Sequence, residues 1–259
     1  MEQFLTELMK IFPELNAYLA AGIFIFARLL GFFRMAPVFN RKEIPGMVKL
    51  GLVFIMTIVL TIVVKPEVTI IKDSFVLSIF LNMVVGAMLG YVAQLILLAV
   101  EAGGDMVNMQ MGLSSAMVLD PTTSSQVSIA GKYFQLLGLI IFIELGGVYW
   151  LFSALVHSFT IFPLDATIIP LQELVNMDYV IKLSSNVLFM GLQIASPVLL
   201  ATLGQDIILG VISKTAPQVN VFQLSFLFKP VLGAAIMVWI LPMLINIISD
   251  YFLSYSNIL

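Results

Sequence analysis

The sequence predicts an all-α integral membrane protein, and three observations carry that prediction. Hydrophobic residues fill 61% of the 259 positions, and charged residues fill only 10%, whereas about 25% is usual in a soluble domain. The mean hydropathy is +1.09. A globule needs a polar surface that this composition does not supply. Six apolar stretches are each long enough to cross a bilayer as a helix, which takes roughly 20 residues.

The six predicted spans follow one another through short connections, so we predict a single domain, residues 1–259. The spans cover approximately residues 15–33, 47–64, 74–100, 132–156, 180–206 and 221–249. The third is about 40 Å long as a helix and must therefore tilt or protrude. Pro197 and Pro242 lie within spans and are expected to kink them.

Charge sets the predicted orientation. The connection after the first span is the most basic of the chain, with one opposing carboxylate at Glu43. Its basic residues are Arg34, Arg41, Lys42 and Lys49. Because cytoplasmic loops are enriched in lysine and arginine, this basic loop is predicted to face the cytoplasm and both termini to face outward. Residues 101–131 then form a second cytoplasmic connection.

Signatures of enzymatic chemistry are missing from the sequence. The chain has no cysteine and one histidine, His157, which lies beside a predicted membrane boundary. There is no Walker A loop, no GxGxxG, no HExxH and no nucleophile elbow. We therefore expect a protein that is not an enzyme, with no catalytic residue, no cofactor and no metal site.

Charged residues near or inside the spans have two interpretations, since charge is costly in hydrocarbon. These residues are Arg28, Glu101, Asp105, Glu144, Asp206 and Lys229. One interpretation is an ion or proton path. In the other, Arg28 snorkels to the interface, Glu101 and Asp105 belong to the cytoplasmic connection, and the remaining charges pair between helices. The second is favoured because the carboxylates follow no single route.

A small-residue motif in the third span predicts close helix packing. Gly86 and Gly90 form GxxxG, and Gln94 lies on the same face one turn later. Small residues at this spacing let helices approach closely in lipid, and a glutamine there can hydrogen-bond across the contact. The motif predicts an internal packing seam or, alternatively, a face for another subunit.

A soft, polar segment separates the third and fourth spans. It reads QMGLSSAMVLDPTT over Gln110–Thr123. Gly112 and the Ser114-Ser115 pair weaken a helix, and Asp120-Pro121 ends one. Methionine, which is flexible and polarisable, occurs four times nearby, at Met106, Met109, Met111 and Met117. Alone, these residues favour an amphipathic connector that lies on the cytoplasmic face of the membrane.

Four stretches of the chain together resemble one protein family. They are Phe26–Leu52, Gly86–Pro121, Ser153–Leu164 and Ser196–Gly233. The most specific elements are MGLS…DP in the second stretch and APQ-N-F…K in the fourth. These residues resemble the FliR family, membrane subunits of the flagellar type III export gate, and the related SctT-type proteins of virulence injectisomes.

The chain departs from the family pattern at two places. Many relatives have Gly-Gly-His where this chain has Gly146-Gly147-Val148. Relatives often have Gly-Phe-Pro-x-Lys where this chain has Ser225 in place of the glycine and Pro230 after the lysine. Lys229 itself aligns with the family's lysine. A role for the missing histidine does not transfer to this chain.

The resemblance implies a structural and gating subunit of the flagellar protein-export channel. It implies a FliP-like portion over about residues 1–179, followed by a FliQ-like helical hairpin over about 180–255. The implied partners are FliP-like and FliQ-like subunits, a FlhB-like protein, unfolded flagellar export substrates in transit and membrane lipid, with no nucleic acid. The implied location is the bacterial inner membrane, within the flagellar basal body.

The resemblance also assigns candidate positions. It implies a pore plug at Met106, Met109, Gln110, Met111, Gly112, Leu113, Ser114, Met117, Asp120 and Pro121. Candidate positions for helix packing or a subunit interface are Gly86, Gly90, Gln94, Pro217, Gln218, Asn220, Phe222 and Lys229. Two alternatives remain. One is a subunit of an injectisome, and the other is a stand-alone secondary transporter with unwound helices near Gly112 and Pro197.

Overall fold

The computed structural model describes residues 13–64, 75–113, 118–120, 125–164 and 177–256. Within these ranges the protein consists of helices and one small hairpin, which confirms the predicted all-α class. The helices are α1 Pro13–Met35, α2 Gly46–Val64, α3 Phe75–Gln110, α4 Ile129–Glu144, α5 Gly147–Ile161, α6 Met177–Thr215, α7 Val221–Trp239 and α8 Leu241–Ser256. Strands β1 (Val118–Asp120) and β2 (Ser125–Val127) pair antiparallel, with Val118 opposite Val127.

The predicted number of membrane helices is confirmed for the described ranges. Five helices are long and apolar enough to cross a bilayer, and a bent pair made of α4 and α5 supplies a sixth. The five are α1, α2, α3, α6 and α7. The pair breaks at Gly146, whose φ of 80° is a left-handed conformation that favours glycine.

The last predicted span is two helices instead of one. Helix α7 ends at Trp239, and α8 begins at Leu241, next to Pro242. Proline has no N–H to donate, and its ring collides with the carbonyl four residues earlier, so this position favours a helix break. Helix α6, in contrast, continues through Pro197 for 39 residues.

The third predicted span is ten residues too short. Its helix, α3, continues through Glu101 and Asp105 to Gln110, so these residues are helical and not part of a connection. Gly103 and Gly104, which weaken an isolated helix, are buried. A Cβ on Gly103 would lie 2.9 Å from the carbonyl oxygen of Gly191 in α6. Tertiary packing therefore extends the helix beyond the point where local propensity ends it.

Two compact units divide the chain, and each is discontinuous in sequence. Unit 1 comprises Met1–Gln94 and Tyr149–Val180, and unit 2 comprises Leu95–Val148 and Ile181–Leu259. In unit 1, α1 packs on α2 and crosses α3 at small residues. A Cβ on Gly86 would overlap the carbonyl group of Arg28, and a Cβ on Gly90 would lie 2.7 Å from the nitrogen of Ala36. The two backbones are thus in direct contact.

Unit 2 is built around α4, which packs on α8. The rings of Phe142 in α4 and Phe252 in α8 are 5.7 Å apart in an edge-to-face arrangement, and both side chains are almost fully buried. Gly138 of α4 lies against Val100 of α3. These contacts pack α4 against α8 and α3.

Candidate functional site

The chain between α3 and α4, residues 111–127, is hereafter called the methionine segment. Helix α3 leads into it with a glycine cap. The nitrogen of Met111 donates to the carbonyl of Val107 at 2.9 Å, and that of Gly112 to Met109 at 3.1 Å. Gly112 has a φ of 72°, a left-handed conformation that commonly follows a helix C-terminus and is nearly free of strain only for glycine.

The candidate plug positions have contrasting environments. Met109, in the last turn of α3, has 70% of its surface exposed, whereas Met111 is 2% exposed. Met106, Gln110 and Leu113 are intermediate. Ser114, Met117 and Pro121 lie outside the described residues, as does the side chain of Asp120.

Met111 anchors the segment to α7. A Cβ added to Gly233 would lie 2.5 Å from Cγ and 2.8 Å from Sδ of Met111. The methionine side chain therefore occupies the space that any larger residue at 233 would need. Sequence reasoning missed Gly233, because a glycine inside an apolar helix gives no signal of which side chain lies over it.

A short hairpin inside the methionine segment was not predicted from sequence. Asp120, the last residue of β1, pairs with Ser125, the first residue of β2. The signal that could have revealed it is weak: β-branched valines occur at 118 and 127, and a proline lies between them in the sequence. The described part of the methionine segment therefore includes a two-stranded hairpin.

Polar side chains hold the two ends of the methionine segment together. Ser128 caps the N-terminus of α4, where its hydroxyl accepts a hydrogen bond from the nitrogen of Gly131 at 2.9 Å, and it donates a short hydrogen bond to Asp105 Oδ1. Asn108 Oδ1 accepts a bond from the nitrogen of Ala130 at 3.4 Å. We call Asp105, Asn108 and Ser128 the base clamp.

One member of the base clamp is buried and retains an unused donor among the described residues. Asn108 is fully buried, and its Nδ2 donates to no residue that the structure describes. Beside it, a Cβ on Gly104 would lie 2.7 Å from the carbonyl oxygen of Ala130, so α3 and α4 touch backbone to backbone. Ser128 was findable from sequence as an N-cap residue before an apolar helix. Asn108 carried no such signal.

Arg28 is buried, so the expectation that it snorkels is wrong. Its exposed fraction is 0%. Its Nε and one terminal nitrogen donate to Asn82 Oδ1 at 3.0 and 2.6 Å. The terminal nitrogens also donate to the carbonyls of Ser158 and Phe162 at 2.9 and 2.8 Å, and the guanidinium lies 4.4 Å from the ring centre of Phe159.

The carbonyls that bind Arg28 belong to the last turn of α5 and the residue after it. A helix C-terminus carries partial negative charge, which stabilises a cation placed there. Asn82 completes the arrangement, because its Nδ2 donates to the carbonyl of Leu164 at 2.9 Å. Arg28 therefore joins three elements of unit 1, namely α1, α3 and the end of α5.

The expected pairing of charges between helices is present for Asp206 and Lys229, and two further polar contacts involve charged side chains. Lys229 Nζ lies 2.7 Å from Asp206 Oδ1, which links α7 to α6. Gln135 Nε2 donates to Glu101 Oε2 at 2.9 Å. In the basic loop, Lys49 Nζ donates to the carbonyl of Arg41 at 2.8 Å.

The remaining candidate interface residues lie around the connection from α6 to α7. Pro217 and Gln218 are exposed, and Phe222 is 79% exposed. Asn220 caps α7, since its Oδ1 accepts from the nitrogen of Gln223 at 3.2 Å. Gln94 is half-buried in α3.

Comparison with known proteins places this arrangement in context. The family described as bacterial export proteins, family 1, matches residues 19–255. The chain is 27% identical over 211 residues to the flagellar biosynthetic protein FliR of Bacillus subtilis, covering 81% of each protein. It is 26% identical over 234 residues to FliR of Escherichia coli, covering 90% of this chain and 88% of that protein. It is also 28% identical to the Yop proteins translocation protein T of Yersinia pestis, covering 82% of each.

Proposed function

The chain belongs to the bacterial export proteins, family 1, and from this premise we propose that it is a structural and gating subunit of the flagellar type III protein-export channel. The observation that carries the proposal is the methionine segment. It starts at a glycine-capped helix end, is held at its base by Asp105 and Ser128, and directly follows the exposed Met109 in the last turn of α3. The proposal places this segment in the pore as a plug.

The geometry supports gating because the base clamp fixes the two ends of the methionine segment, whereas the residues between those ends do not belong to the clamp. Gly112 in a left-handed conformation lets the backbone turn without strain, while the base clamp holds both ends. A plug must close against ions and yield to polypeptides of many shapes. Methionine suits both needs, since its unbranched, polarisable side chain adapts to irregular surfaces.

The proposed partners follow from the FliR-type relatives and from exposed apolar surface. FliP-like and FliQ-like subunits would surround the chain, a FlhB-like protein would bind on the cytoplasmic side, and unfolded flagellar substrates would pass through. Helix α7 exposes Phe222 and Trp239 at 79% and 83%, which suits lipid or neighbouring helices. We propose the bacterial inner membrane, in the flagellar basal body, as the location. Residues 1–179 would form the FliP-like portion and 180–255 the FliQ-like hairpin.

The experiment is a deletion of residues 110–120 in the assembled complex, followed by a measurement of membrane ion permeability. We expect a leak to small ions with assembly largely unchanged. A Gly/Ser linker of the same length in place of these residues should leak as well, because it restores connectivity without the methionines. Unchanged permeability in an assembled complex that carries the deletion would contradict the plug.

An injectisome subunit is the second candidate, and the similarity to the Yersinia protein supports it. Restoring export in strains that lack either the flagellar or the injectisome subunit separates the two. We expect this chain to restore flagellar export. Restoration of injectisome secretion alone would assign it to the second system.

A further inference from the structure

The basic loop lies at a membrane surface, because the helices on either side of it, α1 and α2, are both long and apolar enough to span a bilayer and pack against each other. Between residues 34 and 49, four basic side chains oppose one carboxylate, that of Glu43. The connection that follows α2 in the sequence, residues 65–74, has two lysines and two carboxylates. Positive charge is therefore concentrated at one end of α2.

Three of these basic residues meet around the start of α2. Lys49 Nζ donates a hydrogen bond to the carbonyl of Arg41 at 2.8 Å, which brings the first turn of α2 against the loop. Lys42 follows Arg41 directly and is exposed. An ammonium group has three N–H donors and a guanidinium group has five. The bond from Lys49 and the contact of Arg41 with Glu43 at 3.9 Å therefore leave donors for an anion.

Aromatic packing fixes the basic loop to unit 1. The ring centre of Phe39 lies 4.6 Å from that of Phe33 in α1 and 5.8 Å from that of Phe152 in α5. The neighbouring Val38 has a φ of 70°, a left-handed conformation that is strained for a β-branched residue. Such strain persists only where the surrounding structure holds the backbone in place. A loop that is already held loses less conformational freedom when a ligand binds, which favours binding.

An apolar stripe leads from the basic loop along α2. Its residues recur every three or four positions, which places them on one face of the helix, and each is more than half exposed. They are Met47, Leu50, Phe54, Ile58 and Ile62. At 1.5 Å per residue the apolar stripe is about 22 Å long, which exceeds the roughly 15 Å of hydrocarbon in one leaflet. The surface thus combines a cationic end with an apolar side that reaches through a leaflet.

We propose that the basic loop and the apolar stripe together bind one anionic phospholipid. The headgroup phosphate accepts hydrogen bonds from Arg41, Lys42 and Lys49, and an acyl chain lies along the apolar stripe. Anionic membrane surfaces attract clustered lysine and arginine, and hydrogen bonds from cationic donors to phosphate are strong. The site goes beyond the proposed function and does not depend on it, because the charge and the apolar surface that support it lie within unit 1.

An anionic amphiphile is the occupant that uses both features of this surface. An acidic soluble protein complements the charge of the basic loop, but it does not reach the apolar stripe inside the hydrocarbon. An apolar helix of another protein covers the stripe, but it leaves the excess positive charge of the loop without an anion. A zwitterionic phospholipid also covers the stripe, but it brings no net negative charge to the loop.

The first test is native mass spectrometry of the full-length chain, purified in a neutral detergent and titrated with phosphatidylglycerol or phosphatidylcholine. We expect phosphatidylglycerol to bind about tenfold more tightly, and equal affinities overturn the proposal. Glycerol phosphate in large excess should not displace the bound lipid, because it shares the phosphate but has no acyl chain to bury. Displacement would show that the apolar stripe does not contribute, which also overturns the proposal.

The double variant Lys42→Gln with Lys49→Gln tests the headgroup contacts. It removes two positive charges, and the amide at 49 keeps a donor for the Arg41 carbonyl. We expect the preference for phosphatidylglycerol to fall below about threefold. Lys182→Gln with Lys214→Gln is the matched control, because it removes the charges of two exposed lysines in unit 2, and it should change the preference less than about twofold. Equal preferences in the two double variants overturn the proposal.

The second test identifies the occupant in bacterial membranes and leaves every charge in place. Met47, which is 87% exposed, is replaced by p-benzoylphenylalanine for photo-cross-linking, and Val76 at the start of α3, which is 78% exposed, is the matched control. We expect phospholipid adducts at 47 in which the anionic fraction is about threefold higher than at 76. An adduct at 47 with a protein, with phospholipid of the same composition as at 76, or with nothing overturns the proposal.

Discussion

The hydroxyl of Ser128 donates a hydrogen bond to the carboxylate of Asp105, from the start of α4 to the end of α3. The same hydroxyl accepts the bond from Gly131 that caps α4. One side chain thus begins a helix and closes the base of the methionine segment. This double role makes Ser128 the most informative position for testing how the segment is held.

Ser128→Ala should destabilise the chain by about 1–2 kcal/mol, because it removes an N-cap and a hydrogen bond to a charged group. Unfolding of the purified protein in mixed detergent micelles measures the change. Ser128→Thr keeps the hydroxyl and should retain most of the stability. Equal losses of stability in the two variants would show that the Ser128 hydroxyl does not hold the base clamp together.

The base clamp is expected to stay closed while the segment between its ends moves. The chain contains no cysteine, so Asp105→Cys with Ser128→Cys introduces a single candidate disulfide. Export of flagellar substrates should be similar in the oxidised and reduced states of this double variant. Export that stops on oxidation and returns on reduction would mean that the base itself has to open.

Arg28→Leu should lower the free energy of unfolding by about 3 kcal/mol or more, because it removes the buried donors to Asn82 Oδ1 and to the carbonyls of Ser158 and Phe162. Arg34→Gln is the matched control, since Arg34 is exposed on the same helix, and it should change stability by less than about 0.5 kcal/mol. The amount of folded chain in the membrane reports both effects. Similar levels for the two variants would contradict a structural role for Arg28.

Gly90→Leu should prevent the close crossing of α1 and α3 and so reduce both folded chain and complex yield. Its Cβ would lie 2.7 Å from backbone atoms of Phe32 and Ala36, and backbone cannot move aside as a flexible side chain can. Gly51→Leu in α2 is the control, because no described atom lies within 4 Å of its Cβ. Normal assembly of the Gly90→Leu variant would contradict the close crossing of α1 and α3.

Gly233→Ala should displace Met111 at a cost of about 1–3 kcal/mol and increase ion leakage through the assembled complex. The effect should vanish when Met111 is already alanine, so a double-mutant cycle gives a coupling energy between the two positions. Met109→Ala, which alters an exposed side chain, should change stability by less than about 0.5 kcal/mol. Additive effects of the substitutions at Met111 and Gly233 on stability would contradict the proposal that Met111 anchors the segment to α7.

Local patterns predicted most of the helices because each pattern lies within its own helix. The apolar stretches at 15–33 and 47–64 match α1 and α2 closely, and the proline at 242 marks the break between α7 and α8. The prediction ended α3 at residue 100 because Glu101, Gly103 and Gly104 are poor local signals for an apolar helix. Contacts with α4 and α6 stabilise those ten further residues. Both helices come later in the sequence, so a local pattern does not reveal the contacts.

The candidate site divides in the same way. Methionine content and Gly112 are local, and they indicated where an adaptable segment begins. The roles of Asn108 and Gly233 came only from the structure, because they depend on partners 22 and 122 residues away. The hairpin at β1 and β2 is too short for an alternating pattern to stand out.

Composition and apolar periodicity determined by themselves that this chain is a helical membrane protein with about six spans, since a helix pairs most of its backbone N–H and C=O groups internally, as a bilayer requires. Only the tertiary structure decided that Arg28 is buried, that α3 continues to Gln110 and that the methionine segment is held at its base. Those outcomes depend on which carbonyls, hydroxyls and glycines meet across the fold. A charged or polar group is stable in the interior only when such distant partners satisfy it.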